Sequence, residues 1–371
     1  MKYSLRINEL KKYPSVIALI TAFSIIFILG LPFTEWWFTG DDFHGIFLGY
    51  KTKTWSELLN FFTDGHTNQG VGIPGGYVIG KPDFLGAYYR PLYCIYLALQ
   101  FWTFGTQGYG YFLCNVIAHA IASGLLFYLF ARYTSRYTAF LAALLFAFHP
   151  QIAYRFGAVV NFHYYVNVVL VLCIAIALRK YLLRLQNNHS SIKNYLPLIA
   201  ALFCYALSLL TRETTIILPA VIGILLLAKD YAIQNKPQWT LIIKICFIFG
   251  FIALAFICLR LYLYPLKTIA TNGTFIPYAA KGNFAAHKFQ EFLVFFYDLL
   301  FLSWLPWGNK ILKIVILTPL LSLLGYTFFL CRQKIVVCSF FICGILMLWP
   351  GIISFYSPRY IYESMPFFLA G

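Results

Sequence analysis

The sequence predicts an all-α fold, a polytopic membrane helix bundle of about 9–12 membrane helices. Three observations carry this. Of the 371 residues, 61% are hydrophobic and only 11% are charged, against about a quarter charged in soluble domains. The mean hydropathy is +0.75. Apolar runs of spanning or near-spanning length recur at 14–33, 109–131, 137–149, 156–178, 195–211, 214–228, 239–260, 314–331 and 335–356. This composition excludes a water-soluble enzyme, a disordered chain and a disulfide scaffold. The nine cysteines lie mostly within the apolar runs and include no CxxC spacing, so they read as small buried residues.

The elements follow in order along one integral-membrane domain, 1–371. The run 14–33 comes after Lys2, Arg6, Lys11 and Lys12 and reads as an uncleaved signal-anchor. A long first outer loop covers 34–90. Within it Thr54 and Glu57 fit a capping box, with Thr54 at N-cap and Glu57 at N3. Trp55, Leu58, Leu59 and Phe62 then recur with helical spacing, which predicts a short amphipathic helix on the membrane. The glycine-rich stretch 70–80 lacks phosphate-loop spacing and reads as a loop. Central helices occupy 91–260, a second outer loop 261–288, and C-terminal helices 289–371. The last run is still apolar at Gly371, so the sequence reads as ending inside a helix.

Charge sets the expected topology. The net charge is +16. The bases cluster at 2–12, 132–136, 179–193, 229–244 and 332–334, with Glu9 and Asp230 the acids among them. The positive-inside rule explains such clusters between apolar runs, and nucleic acid is not an expected partner. All five clusters share the inner face only if 91–104 and 289–305 return to the face they leave. The outer face then collects Asp41, Asp42, Arg90, Arg155, Arg212, Glu213 and Arg359. Charges beside membrane spans are costly and tend to serve function.

Several residues on that face are chemical candidates. Asp41 and Asp42 repel each other, which calls for a cation, an arginine or a raised pKa. They read as a general base or as ligands for a divalent cation such as Mg or Mn, or else as a solvated turn. Pro91 suits the first position of a helix. Arg90 before it could hold a phosphate at the helix N-terminus, or snorkel at the interface. Asn115 with His119, and His163 with Asn167, are spaced to satisfy themselves or to bridge helices. His149 and Arg155 could face an outer cavity or cap a turn. Arg212 and Glu213 interrupt two apolar runs. Arg212 could bind phosphate with Glu213 orienting it, or the two form a surface hairpin salt bridge. Arg359 and Tyr360 precede the final run and offer another anion contact.

The order of these motifs resembles the GT-C superfamily of glycosyltransferases. The motifs are TGDDF, then YRPL opening a helix, Asn115 with His119, a span ending FHP, LSLLTRET, and RYIYESMP. The chain is most similar to the tetratricopeptide-linked transmembrane O-mannosyltransferases and their bacterial multi-span relatives, over about 14–371. The resemblance implies a GT-C type bundle. It implies that Asp41 or Asp42 is the catalytic acid/base and that the other assists or holds a metal. Arg212 would contact the lipid phosphate, with Arg90 and Arg359 at related motif positions and Glu213, His149, Arg155, His119, His163 and Tyr360 in support. Two departures stand out: no tetratricopeptide repeats follow, and arginine replaces the usual lysine in the hairpin, which is not a simple exchange.

The expected activity is transfer of a sugar from a polyprenyl-phosphate-linked donor to an acceptor hydroxyl on a glycan, lipid or protein, with inversion, at the outer face. Membrane lipids are the other expected partners. Short loops point to a multi-pass protein of the bacterial plasma membrane. Two rival readings are a transporter or flippase for a lipid-linked or anionic solute, and a non-catalytic assembly subunit.

Overall fold

The computed structural model describes residues 38, 41–63, 89–149, 158–186, 192–234, 236–263, 334–347 and 365–367. The expected first span 14–33, the segment 64–88 and the helix 289–305 lie outside them. Among the described residues the chain is entirely helical: α1 (Asp41–Lys51), α2 (Trp55–Asn60), α3 (Pro91–Phe104), α4 (Gly108–Phe130), α5 (Arg136–Ala147), α6 (Phe162–Gln186), α7 (Leu196–Thr211), α8 (Leu218–Gln234), α9 (Trp239–Leu263) and α10 (Lys334–Met347). Short 3-10 turns at Val159–Asn161 and Glu213–Ile217 lead into α6 and α8.

Among the described residues four segments are long and apolar enough to cross a membrane: Gly108–Phe130, Val159–Gln186, Glu213–Ala232 and Trp239–Leu263. Arg136–Ala147, Leu196–Thr211 and Ile335–Met347 are shorter apolar helices. The outer surface fits a lipid solvent. Ile243, Phe247, Phe251 and Leu254 share one exposed face of α9, with Phe247 71% exposed. In water such a patch would drive association.

Local chemistry sets the helix ends. Ser135 caps α5 by accepting the Thr138 amide at 3.1 Å, and Pro91 opens α3. Gly105 closes α3 at φ 56°, a left-handed geometry that favours glycine, and its N–H bonds the Phe101 carbonyl at 2.7 Å. Lipid tails are as apolar as leucine, so close backbone approach, not apolar burial, holds such helices together. In α5, Ala139, Ala142, Ala143 and Ala147 are buried along one stripe, and α5 packs on α4.

The contacts fix the helix directions. His119 of α4 lies beside Tyr165 of α6, ring centroids 6.0 Å apart. Arg179 of α6 lies over Tyr133, just past α4, at 5.5 Å. These two helices therefore run the same way. Helix α7 runs back along α6, with Ser208 bonded to Asn167 at 2.6 Å and Tyr195 beside Tyr181 at 6.1 Å. Arg132, Arg179, Arg184 and Lys193 thus gather at one end, the basic end. The starts of α4 and α6 and the finish of α7 form the opposite end.

Helix α3 belongs to that opposite end. Its Tyr93 ring meets His163 at 4.5 Å, and its Tyr96 hydroxyl meets Thr211 Oγ1 at 3.1 Å, so it begins level with the start of α6. It finishes next to the start of α4, where Phe104 and Tyr111 lie 5.9 Å apart. Helix α3 therefore stays in the half of the bundle opposite the basic end.

Candidate functional site

The site is built where α1, α3, the turn before α6 and the break after α7 meet. Helix α1 corrects one expectation. Asp41 and Asp42 had been placed in a loop, with a solvated turn as one reading. Instead they form the first turn of α1, where the helix dipole favours a carboxylate. Asp42 is 2% exposed, and its Oδ1 accepts the Val160 N–H at 3.4 Å. For Asp41 the backbone alone is described. Helix α1 lies close against α3 through Gly45 and Gly49, which face Leu97 and Phe101. Trp102 Nε1 donates to the Thr52 carbonyl at 2.6 Å. The register makes α1 and α3 parallel, with Asp42 near the start of both.

The Thr54–Glu57 capping box is present. Thr54 Oγ1 accepts the Glu57 N–H at 3.3 Å, and Glu57 Oε2 accepts the Thr54 N–H at 3.2 Å. The helix that follows does not bury its whole apolar stripe. Leu58 is buried, while Trp55 and Leu59 are exposed. The Trp55 ring meets the Trp102 ring edge-on at 5.2 Å.

The backbone of Val160 joins two candidates. Its N–H serves Asp42, and its carbonyl lies 2.7 Å from His163 Nδ1. The His163 ring lies between Tyr93, at 4.5 Å, and Tyr164, at 4.2 Å. Tyr164 carries Arg212 on its face, with the guanidinium carbon 3.8 Å from the ring centroid. Arg212 is 1% exposed. A desolvated cation–π contact of this kind is worth about 2 kcal/mol. Asp42, His163 and Arg212 therefore sit in one buried, connected belt.

Arg212 takes an extended conformation, φ −161° and ψ 121°, which breaks α7. Successive side chains in extended backbone point to opposite sides. Arg212 therefore turns to Tyr164 while Glu213 turns to Arg90. The expected pairing of Glu213 with Arg212, or its orientation of Arg212, is replaced by a different partnership. Arg90 Nε donates to Glu213 Oε2 at 2.6 Å, and Nη2 donates to Oε1 at 2.9 Å. The two side chains are 16% and 13% exposed, so this is an internal pair rather than a surface hairpin bridge. Thr215 Oγ1 donates to the Arg212 carbonyl at 3.0 Å and steadies the break.

The remaining candidates divide. His119 lies deeper, with Nε2 3.1 Å from the Ala147 carbonyl and its ring 5.1 Å from Phe146. His149 is buried at the end of α5. Asn115 donates to the Ala158 carbonyl at 3.0 Å, tying α4 to the turn before α6. Asn167 bridges to Ser208 of α7. Arg155, Arg359 and Tyr360 lie outside the described residues. Among the described residues no group of three or more His, Cys, Asp or Glu side chains could hold a metal ion. Sequence reading overlooked Tyr164 and Tyr93; the run FHYYVN, with tyrosines next to His163, was the available signal.

Fold and site together define a multi-pass integral membrane protein with a buried charged belt set away from the end that holds Arg132, Arg179, Arg184 and Lys193. No family model matches the chain, and neither a curated protein nor a solved structure matches it.

Proposed function

We propose that the protein is a membrane glycosyltransferase of GT-C type. It takes a sugar from a polyprenyl-phosphate donor and transfers it, with inversion, to an acceptor hydroxyl. The observation that carries this reading is the joint burial of the Asp42 carboxylate and the Arg212 guanidinium in one belt at the site end. The donor's tail would lie in the bilayer, with its phosphate at that end. Asp42, assisted by Asp41, takes the acceptor hydroxyl's proton. The acceptor oxygen bonds to the anomeric carbon as the bond from that carbon to the phosphate oxygen breaks. The phosphate leaves with added negative charge, which Arg212, already held on Tyr164, stabilises. Arg90 supports this arrangement through Glu213.

Asp42, Arg90, Arg212 and Glu213 gather where α1, α3 and α6 begin and α7 ends, and a flippase or transporter for a lipid-linked or anionic solute is the rival reading. The test uses the purified protein in liposomes with a panel of polyprenyl-phosphate sugars and simple hydroxyl acceptors, with and without a chelator. Release of polyprenyl phosphate together with a glycosylated acceptor is the expected result. Movement of the donor across the bilayer with no sugar transfer would replace this reading with the flippase.

A further inference from the structure

The basic end holds a second convergence of charge, in the crevice between α4 and α6. Arg132 lies just past the apolar span of α4, with its guanidinium carbon 4.7 Å from the Tyr128 ring centroid. Arg179 of α6 covers the Tyr133 ring at 5.5 Å. Lys180, which is exposed, follows Arg179 on α6. Two guanidiniums thus cover two neighbouring tyrosine rings, with Lys180 next in sequence to one of them. None of the three has an acidic partner among the described residues; the ion pairs there are Arg90–Glu213 and Lys229–Asp230. Arg132 Nη2 is buried and has no hydrogen-bond partner among the described residues.

A snorkelling arginine would instead carry its nitrogens into water. The buried donor and the two covered tyrosine rings describe a seat that an anion completes. The start of α5 adds the positive end of a helix dipole on the same side. The surroundings identify the source of the anion. Tyr133 and Tyr137 are exposed at this level, where tyrosines mark a membrane–water boundary. Leu141 and Leu145, one turn apart on α5, expose apolar surface running from there toward the bilayer. A phosphate on the three cations would send its acyl chains along that face.

We propose that Arg132, Arg179 and Lys180 form a binding seat for the phosphate of an anionic phospholipid at the basic end. The seat is separate from the proposed catalytic belt and does not depend on its chemistry. Each cation at a headgroup strengthens anionic-lipid binding severalfold.

The test is native mass spectrometry of the detergent-purified protein incubated with phosphatidylglycerol, phosphatidylcholine or inorganic phosphate. Phosphatidylglycerol is expected to be retained about tenfold more than phosphatidylcholine. The variant carrying Arg132→Gln, Arg179→Gln and Lys180→Gln is expected to lose that preference, and Lys229→Gln, also in a basic cluster, to keep it. Arg179→Lys, which preserves the charge, is expected to keep most of it. Equal retention of the two lipids by the native protein overturns the proposal without any variant. So does full preference in the triple variant. Displacement of phosphatidylglycerol by millimolar inorganic phosphate would assign the seat to a free anion and overturn the lipid.

Discussion

Arg90 and Glu213 are joined by two parallel hydrogen bonds, at 2.6 and 2.9 Å, which tie the start of α3 to the break after α7. The fork of the guanidinium matches the two carboxylate oxygens. Through Glu213 the pair fixes the first residue of the 3-10 turn, and with it the direction in which Arg212 leaves the chain.

Breaking the pair from one side should therefore be costly, because the other charge is left mostly buried. Arg90→Met or Glu213→Met is expected to lower stability by about 3–5 kcal/mol. The double variant Arg90→Met with Glu213→Met should recover most of that loss. Unfolding in detergent, run as a double-mutant cycle, measures it. Additive losses would show that the two residues act independently.

Two glycines predict opposite outcomes. A methyl group at Gly49 would overlap Phe101 Cβ, which cannot swing away as the tip of a side chain can. Gly49→Ala is expected to cost about 1–3 kcal/mol by separating α1 from α3. At Gly250 of α9 no described atom lies within 4 Å of the added methyl. Gly250→Ala should instead gain up to about 1 kcal/mol from helix propensity. Melting temperatures of the two variants decide the sign at each position.

The cap of α2 should respond to acid. Hydrogen bonds from the Lys53 and Thr54 amides, with the nearby Lys53 charge, hold the fully exposed Glu57 carboxyl below the usual glutamate range. A folded pKa below the unfolded one stabilises the folded state above the unfolded value, and this is lost as pH falls through the folded value. The Lys53 and Thr54 amides should accordingly lose hydrogen-exchange protection at acid pH beyond the intrinsic rate change. In Glu57→Gln that extra loss should vanish. Identical pH profiles in the two proteins would remove Glu57 from the cap.

Much of the fold is legible in the sequence, because a bilayer demands long apolar helices and their periodicity and length are written in residue type. The capping box at Thr54 and the opening of α3 at Pro91 are local rules and were equally readable. The pairing of charges was not. Arg90 and Glu213 are far apart in sequence, and only the extended backbone at Arg212 decides that neighbouring Glu213 turns away from it. Likewise the amide that Asp42 meets comes from Val160 in a distant segment, which no local rule reveals. Tyr164 was overlooked because an aromatic residue in a membrane helix reads as ordinary packing until a cation is found on its face. The four conspicuous polar residues in α4 and α6 gave the reverse lesson. Asn115, His119 and His163 meet backbone carbonyls and Asn167 meets a serine, so their spacing reflects the satisfaction of buried polar groups as well as the neighbourhood of a site.

The measurement that tests the central claim most directly is turnover of a polyprenyl-phosphate sugar by Asp42→Asn, compared with the native protein under saturating donor. The side chain keeps its size and can still accept the Val160 amide, so the fold should hold. If Asp42 takes the acceptor proton, turnover falls by about 10²–10⁴-fold while donor binding is retained. Turnover at the native rate in Asp42→Asn would contradict the assignment of this buried carboxylate to the chemistry.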